Sequence, residues 1–226
     1  MATAVVAVYR STIGKKAVMA VTGMVLFGFV VAHMVGNLKL FQGATHFNEY
    51  AEGLRALGAP ILGHGQALWL LRSVLLVAVL LHAVAAVQLT RQARAARPVT
   101  YRKRRRVDAD YAALTMRWGG LTLALFVVYH LLHMTTGTAH PDFVTGDAYG
   151  NMVSGFQREW VFVPYALAVI ALGAHVYHGF WSMFQTLGRG SGRYRETLRL
   201  SAAGLAAALV VGYLAGPFAI VIGAVD

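Results

Sequence analysis

Four histidines, His33, His82, His130 and His175, stand one each on four successive strongly apolar stretches of a 226-residue chain. Imidazole is a ready ligand for transition metals, and a polar ring in an apolar segment is expensive to leave unpaired. A lone histidine in such a place is more often a hydrogen-bonded packing or proton-relay residue than a ligand. One on each of four segments, sorted into two depths, reverses that expectation. His133 and His178 lie three residues beyond His130 and His175 and share their helix faces, so spacing alone does not choose between the two members of either pair.

The elements that must position these rings are apolar runs at 13–36, 68–90, 114–136, 160–184 and 200–222. Each reaches the roughly 20 residues that cross a hydrocarbon core. Hydrophobic residues make up 58% of the chain and charged residues 13%, about half the usual share in a soluble domain. The runs are continuous and rich in Leu, Val and Ala, without the period-two alternation of an outer-membrane barrel. The expected architecture is an all-α membrane protein of five transmembrane helices, forming one bundled domain over 1–226. The first run follows Lys15 and Lys16 but is too long for a signal peptide and carries His33.

Charge orients the bundle. The net charge is +11, and sixteen of the twenty Lys and Arg residues precede the first run or surround the second and fourth connections. Only Lys39, Arg55, Arg72 and Arg158 remain for the opposite side. By the positive-inside rule the N-terminus is cytoplasmic and the protein is a multi-pass protein of the cell's inner membrane. The stretch YRKRRR at 101–106 reads as a topology signal that also meets anionic lipid or an acidic partner, not nucleic acid.

With this orientation the histidines separate by depth. At 1.5 Å per residue, His33 lies roughly 27 Å and His130 roughly 20 Å from the basic face, measured from Lys15 and Arg117. His82 lies about 14 Å and His175 about 21 Å from it, measured from Arg91 and Arg189. The first and third segments thus supply an outer pair, the second and fourth an inner pair. Two haems, one above the other and each held by two histidines, fit this order, and bis-histidine ligation suits electron transfer. The chain has no cysteine, which excludes disulfides, thiolate-held iron–sulfur clusters and thiolate-ligated haem. Zinc, the chemical rival, prefers a cluster at one depth with carboxylate or thiolate help, and no carboxylate lies within an apolar run.

The connections add further expectations. Phe47, Tyr50, Leu54 and Leu57 recur at helical spacing, so an interfacial amphipathic helix is expected before Pro60 and Gly63. The 137–157 loop, rich in Gly, Asp, Asn and Pro, reads as irregular, and His46, His64 and His140 read as solvated loop residues. Gly14, Gly23 and Gly28 on the first run would admit a neighbouring helix or a flat porphyrin. The fifth run, without histidine, reads as packing material, with Gly212, Gly216 and Pro217 expected to bend it. Arg72, just inside an outer-side helix end, needs an anion, for which a haem propionate is the candidate, or else snorkels to headgroups. His178, Trp181 and Ser182 share a face at the cytoplasmic end of the fourth run and would line a docking seam or a quinone pocket, with His64 and Gln66 the alternative on the outer side.

Four motifs, STIGKK at 11–16, TGMVLFGFVVAHMVGNLKLF at 22–41, HFNEYAEGL at 46–54 and HVYHGFWSMFQTLG at 175–188, together resemble the five-helix cytochrome b subunit of succinate dehydrogenase and fumarate reductase. The resemblance extends over nearly the whole chain. It implies a membrane anchor with two b haems that exchanges electrons with a quinone, usually menaquinone, beneath a flavoprotein subunit and an iron–sulfur subunit on the cytoplasmic face. It also implies His33 with His130 as ligands of the distal haem and His82 with His175 as ligands of the proximal one, favouring His130 over His133 and His175 over His178. Some relatives use a membrane-embedded glutamate near the distal haem. No acid lies within an apolar run here, leaving Glu49 and Glu52, or His64 and Gln66, as stand-ins.

On this reading the subunit serves succinate:quinone oxidoreduction and has no activity alone. Alternatives are the fumarate reductase direction, a haem-poor structural anchor with direct quinone reduction, and the b-type subunit of a hydrogenase or formate dehydrogenase. A higher oligomer of the complex is compatible with this reading.

Overall fold

Helix, and no strand, forms wherever the chain is ordered into regular structure among the described residues. These are 11–96, 108–186 and 194–226 of a computed structural model. Seven α-helices follow in order: α1 Thr12–Asn37, α2 Ala44–Arg55, α3 Gln66–Ala95, α4 Asp108–Met134, α5 Ala148–Phe156, α6 Glu159–Thr186 and α7 Tyr194–Val221. A short 3-10 turn, Leu38–Gln42, joins α1 to α2. Four of them, α1 with its following turn, α3, α6 and α7, are long and apolar enough to cross a membrane. The fourth helix, α4, is 27 residues long and carries Arg117, His130 and His133 among its apolar residues.

The helices outrun the apolar stretches that signalled them. At 30 residues α3 spans about 45 Å, well beyond a hydrocarbon core of roughly 30 Å. Its extra turn, Arg91–Ala95, consists of residue types with high helix propensity. The first turn of α7 contains Glu196, favoured by the positive end of the helix dipole. Apolarity marks where lipid would lie, whereas propensity and capping mark where the helix stops. The Ser11 hydroxyl, for example, accepts from the Gly14 N–H at 2.9 Å to start α1.

The long helices alternate in direction and pack as two close pairs, α1 with α3 and α4 with α6. Ala78 and Ala85, both buried, bracket His82 on the α3 face that meets α1. The last helix, α7, lies along α6 and touches α1, closing the two pairs together. The Tyr213 hydroxyl donates to the Val30 carbonyl at 2.6 Å, a direct tie from α7 to α1. Gly212 lies under Met34 and Gly216 under Leu40, so these two glycines admit large side chains from the other half.

The best-packed core lies at one end of the bundle. Leu40, Phe47, Met152, Val153, Phe156, Val161, Tyr165 and Ile220 form it, drawn from the 3-10 turn, α2, α5, α6 and α7. This is the capped end, and the N-terminus of α1 marks the other, basic end. One expectation fails here. The 137–157 loop is not wholly irregular, because Asp147 caps the nine-residue helix α5 and Met152, Val153 and Phe156 bury on the core. Its Gly, Asp and Asn content hid a helix that tertiary packing sustains. The amphipathic helix expected after the first run is α2, ending at Arg55, with Phe47 buried. Pro98 and the stretch at 101–106 lie outside the described residues.

One side chain joins the two cap helices. Asn48 on α2 donates to Asp147 Oδ1 and accepts from the Tyr149 N–H, both at 3.0 Å. Asn48→Ala would leave that N–H without its partner, at a cost of about 1–3 kcal/mol. The variant is expected to melt at a lower temperature in detergent and to be cut faster by protease between 139 and 147. An unchanged melting temperature and cutting rate would show that the Asn48 bridge contributes nothing to the cap.

Candidate functional site: two histidine pairs across a gap

Two rings from each close helix pair face rings of the other. His33 of α1 and His130 of α4 have centroids 5.9 Å apart at 74° between planes. His82 of α3 and His175 of α6 are 6.2 Å apart at 58°. Among the described residues, α1 and α4 make next to no backbone contact with each other, nor do α3 and α6. The rings therefore meet across a gap and not within a packed seam.

Local sequence explains how each ring is held. Phe29 stacks on His33 at 5.3 Å and Phe126 on His130 at 5.8 Å, each from four residues earlier on the same helix. Tyr213 of α7 borders His33 at 6.2 Å. His82 Nδ1 lies 3.1 Å from the Thr22 hydroxyl of α1. The Tyr165 hydroxyl of α6 lies 3.2 Å from His130 Nδ1 and 3.0 Å from His133 Nδ1. Sequence reasoning missed Thr22, Tyr165 and Tyr213. The available signal was that a hydroxyl in an apolar run must find a partner.

His133 does not face the gap. It is 2% exposed, packed between Tyr129 at 5.5 Å and His140 at 4.7 Å. His140 departs from the expectation of a solvated loop residue. It is buried, stacked on His133, with Nε2 at 3.2 Å from the Ser154 hydroxyl. The reason is α5, which covers the loop, and Gly155 leaves the room in which both rings sit. Burial holds the His140 imidazole below its ordinary pKa.

The other expected site residues are dispersed. The Arg72 guanidinium lies over the exposed Trp69 ring at 5.0 Å. Gln66 accepts from the Gly63 N–H at 3.0 Å, and His64 lies 2.7 Å from Glu52. His46 and Glu49 form an exposed pair at 3.7 Å. At the basic end His178 lies edge-on to Tyr177, and Arg199 lies over Trp181 at 5.5 Å. The Trp181 Nε1–H is buried with no hydrogen-bond partner among the described residues, whereas Ser182 is exposed.

No protein-family model, curated protein or solved structure matches this chain. The fit of a haem therefore rests on the residues themselves. A metal held about 2 Å from one nitrogen of each of two imidazoles spaces the ring centres by on the order of 6 Å, and both pairs stand at that separation. Gly23 and Gly120 lie against the His82 and His175 rings, where a Cβ would approach to 3.4 and 3.8 Å. A Cβ on Gly28 would meet nothing within 4 Å. His175 Nδ1 is buried without a partner among the described residues. Imidazoles facing in twos at this spacing, with glycines beside them, fit a planar metal-bearing cofactor.

The cap surface carries the clearest pH-sensitive contact. The hydrogen bond from His64, and then that from Arg55, hold the exposed Glu52 carboxyl below the usual carboxylate range. Because that pKa is depressed, the contact is fully formed above the ordinary carboxylate value and is lost as the pH falls through the lowered one. The Gly65 N–H donates to the Arg55 carbonyl at 2.6 Å within the same connection. Its exchange protection is expected to fall on that acid side. Glu52→Gln should remove the dependence; a wild-type protection factor flat through this range would refute the coupling.

Proposed function

We propose that this chain is a five-helix, dihaem cytochrome b that anchors a succinate:quinone oxidoreductase in the membrane. It would exchange electrons between a docked iron–sulfur subunit and a quinone of the menaquinone class, in the cell's inner membrane with its N-terminus cytoplasmic. The observation that carries this reading is the crossed pairing of His33 with His130 and His82 with His175 across helices that do not pack on each other. The motifs from Ser11 to Gly188 support the choice of family, and α4 would supply the fifth crossing.

His33 and His130 would hold the distal haem, and His82 and His175 the proximal one. A haem held by these histidines would supply one-electron transfer. The chain's residues bind, orient and exclude water: Phe29 and Phe126 back the distal rings, and the cap closes that end. Arg72, stacked on Trp69, stands on an exposed face and is best placed to meet headgroups. At the basic end, Lys15, Lys16, Arg91, Arg94, Arg195 and Arg199 suit the docking of an acidic partner face, with the flavoprotein subunit beyond the iron–sulfur subunit.

The Trp181 N–H, without a hydrogen-bond partner among the described residues, favours a quinone carbonyl at this basic end, beside His178 and Ser182. Trp181→Phe keeps a ring under Arg199 and removes the donor. In the assembled complex it is expected to raise the KM for quinone roughly 3- to 10-fold, the equivalent of about 1 kcal/mol for one hydrogen bond. An unchanged KM would move the quinone to the capped end, near His64 and Gln66.

Haem content and pairing are tested together. The purified full chain should yield two b haems by pyridine haemochrome. His33→Ala and His130→Ala should each remove one component of the reduced-minus-oxidised spectrum, and His82→Ala and His175→Ala the other. A single haem, or loss of both components from every variant, would refute the assignment.

A further inference from the structure

Two hydroxyls touch the histidine pairs, and each has only one hydrogen to give. Thr22 Oγ1 lies 2.7 Å from the Val18 carbonyl, 3.2 Å from the Met19 carbonyl and 3.1 Å from His82 Nδ1. Carbonyls only accept, and the shorter of the two contacts places the Thr22 hydrogen on Val18. The Thr22 oxygen is then an acceptor, and His82 must donate to it from a protonated Nδ1. A neutral imidazole protonated at Nδ1 keeps its lone pair at Nε2.

Tyr165 presents the same constraint with two claimants. Its oxygen lies 3.2 Å from His130 Nδ1 and 3.0 Å from His133 Nδ1. A hydroxyl that donates to His133 can accept from His130. That arrangement leaves His130 a lone pair at Nε2 and engages the Nδ1 lone pair of His133. The reverse arrangement would engage the His130 lone pair at Nδ1 and place a proton on Nε2, where no metal could then bind. Tyr165 has little freedom to escape the choice. Its ring is met edge-on by Phe126 at 4.9 Å and by Phe156 at 4.8 Å, and it is 7% exposed within the cap core.

We propose that Thr22 and Tyr165 are positioning residues whose hydroxyl oxygens hold His82 and His130 as Nδ1–H tautomers, each with an Nε2 lone pair for iron. Tyr165 at the same time withdraws His133 from competition. This rests on the dihaem reading above. An Nδ1–H that donates to an oxygen makes its imidazole a stronger donor to the metal, which favours the oxidised state. Removing the acceptor raises the midpoint potential of that haem alone and weakens its binding by roughly 10- to 100-fold.

The test uses the purified, haem-loaded full chain. Thr22→Val is expected to raise the midpoint potential of the component that His82→Ala removes and to leave the other in place. Tyr165→Phe is expected to do the reverse, shifting only the component that His130→Ala removes. Thr22→Ser, which keeps the hydroxyl, should restore the first potential. A purely structural role would lower the melting temperature without moving either potential, and that result overturns the proposal while leaving two haems standing. Absence of haem from the unmutated chain would overturn the dihaem reading instead, and the positioning role with it. Should either variant fail to fold, 15N-histidine NMR of the unmutated full chain decides. A protonated Nδ1 on both His82 and His130 supports the proposal; Nε2–H on either overturns it for that residue.

Discussion

Imidazole rings that meet across a gap impose a constraint that the rest of this bundle has to satisfy. The helices that carry a facing pair do not lie on each other, so their separation is set by neighbours. That task falls to α7 and the cap. The first packs along α6, reaches α1 through the Tyr213–Val30 bond and takes Met34 and Leu40 over Gly212 and Gly216. At the capped end, the 3-10 turn after α1 enters the same core as α5, α6 and α7. The halves are therefore joined along one side and at one end, and the helices that carry a facing pair stay clear of close backbone contact with each other. A helix without a histidine turns out to be what spaces the histidines.

Much of the bundle was legible because the membrane imposes a coarse rule: apolar runs become helices, and polar residues within them need partners. Each long helix was recognisable in type and covers its apolar run but for the last residues of two: α4 stops at Met134 and α7 at Val221, where the runs reach 136 and 222. Helix ends were less legible, since the extra turns of α3 and α7 are polar and depend on propensity and capping. The short helix α5 was hidden by its own composition and exists through burial of Met152, Val153 and Phe156. His140 was misread for the same reason, because nothing local announces that α5 will cover it.

At the site, residue type and depth were legible, but direction was not. Residues three apart on a helix differ by about 60° around the axis. That suffices to turn His130 towards His33 and His133 towards the buried His140. Thr22 and His82 are 60 positions apart, and Tyr165 lies 35 beyond His130. Such pairings follow from the way helices pack and leave no signature in spacing.

The two ends of the molecule differ in how their charges are settled. At the capped end Glu52 meets Arg55 and His64, Asp142 meets Arg158, and Asp147 caps α5 while holding Asn48. At the basic end the described cations Lys15, Lys16, Arg91, Arg94, Arg117, Arg195 and Arg199 outnumber the one described acid side chain there, Glu196. The same asymmetry holds for packing, whose tightest part is the cap core. Within each half, one histidine is tied by a hydroxyl from the helix it packs against: His82 to Thr22 across α1 and α3, His130 to Tyr165 across α4 and α6. Its partner in the other half, His175 or His33, has no such bond among the described residues. Each half thus carries one ring tied by a hydroxyl and one that is not, and every facing pair combines the two kinds.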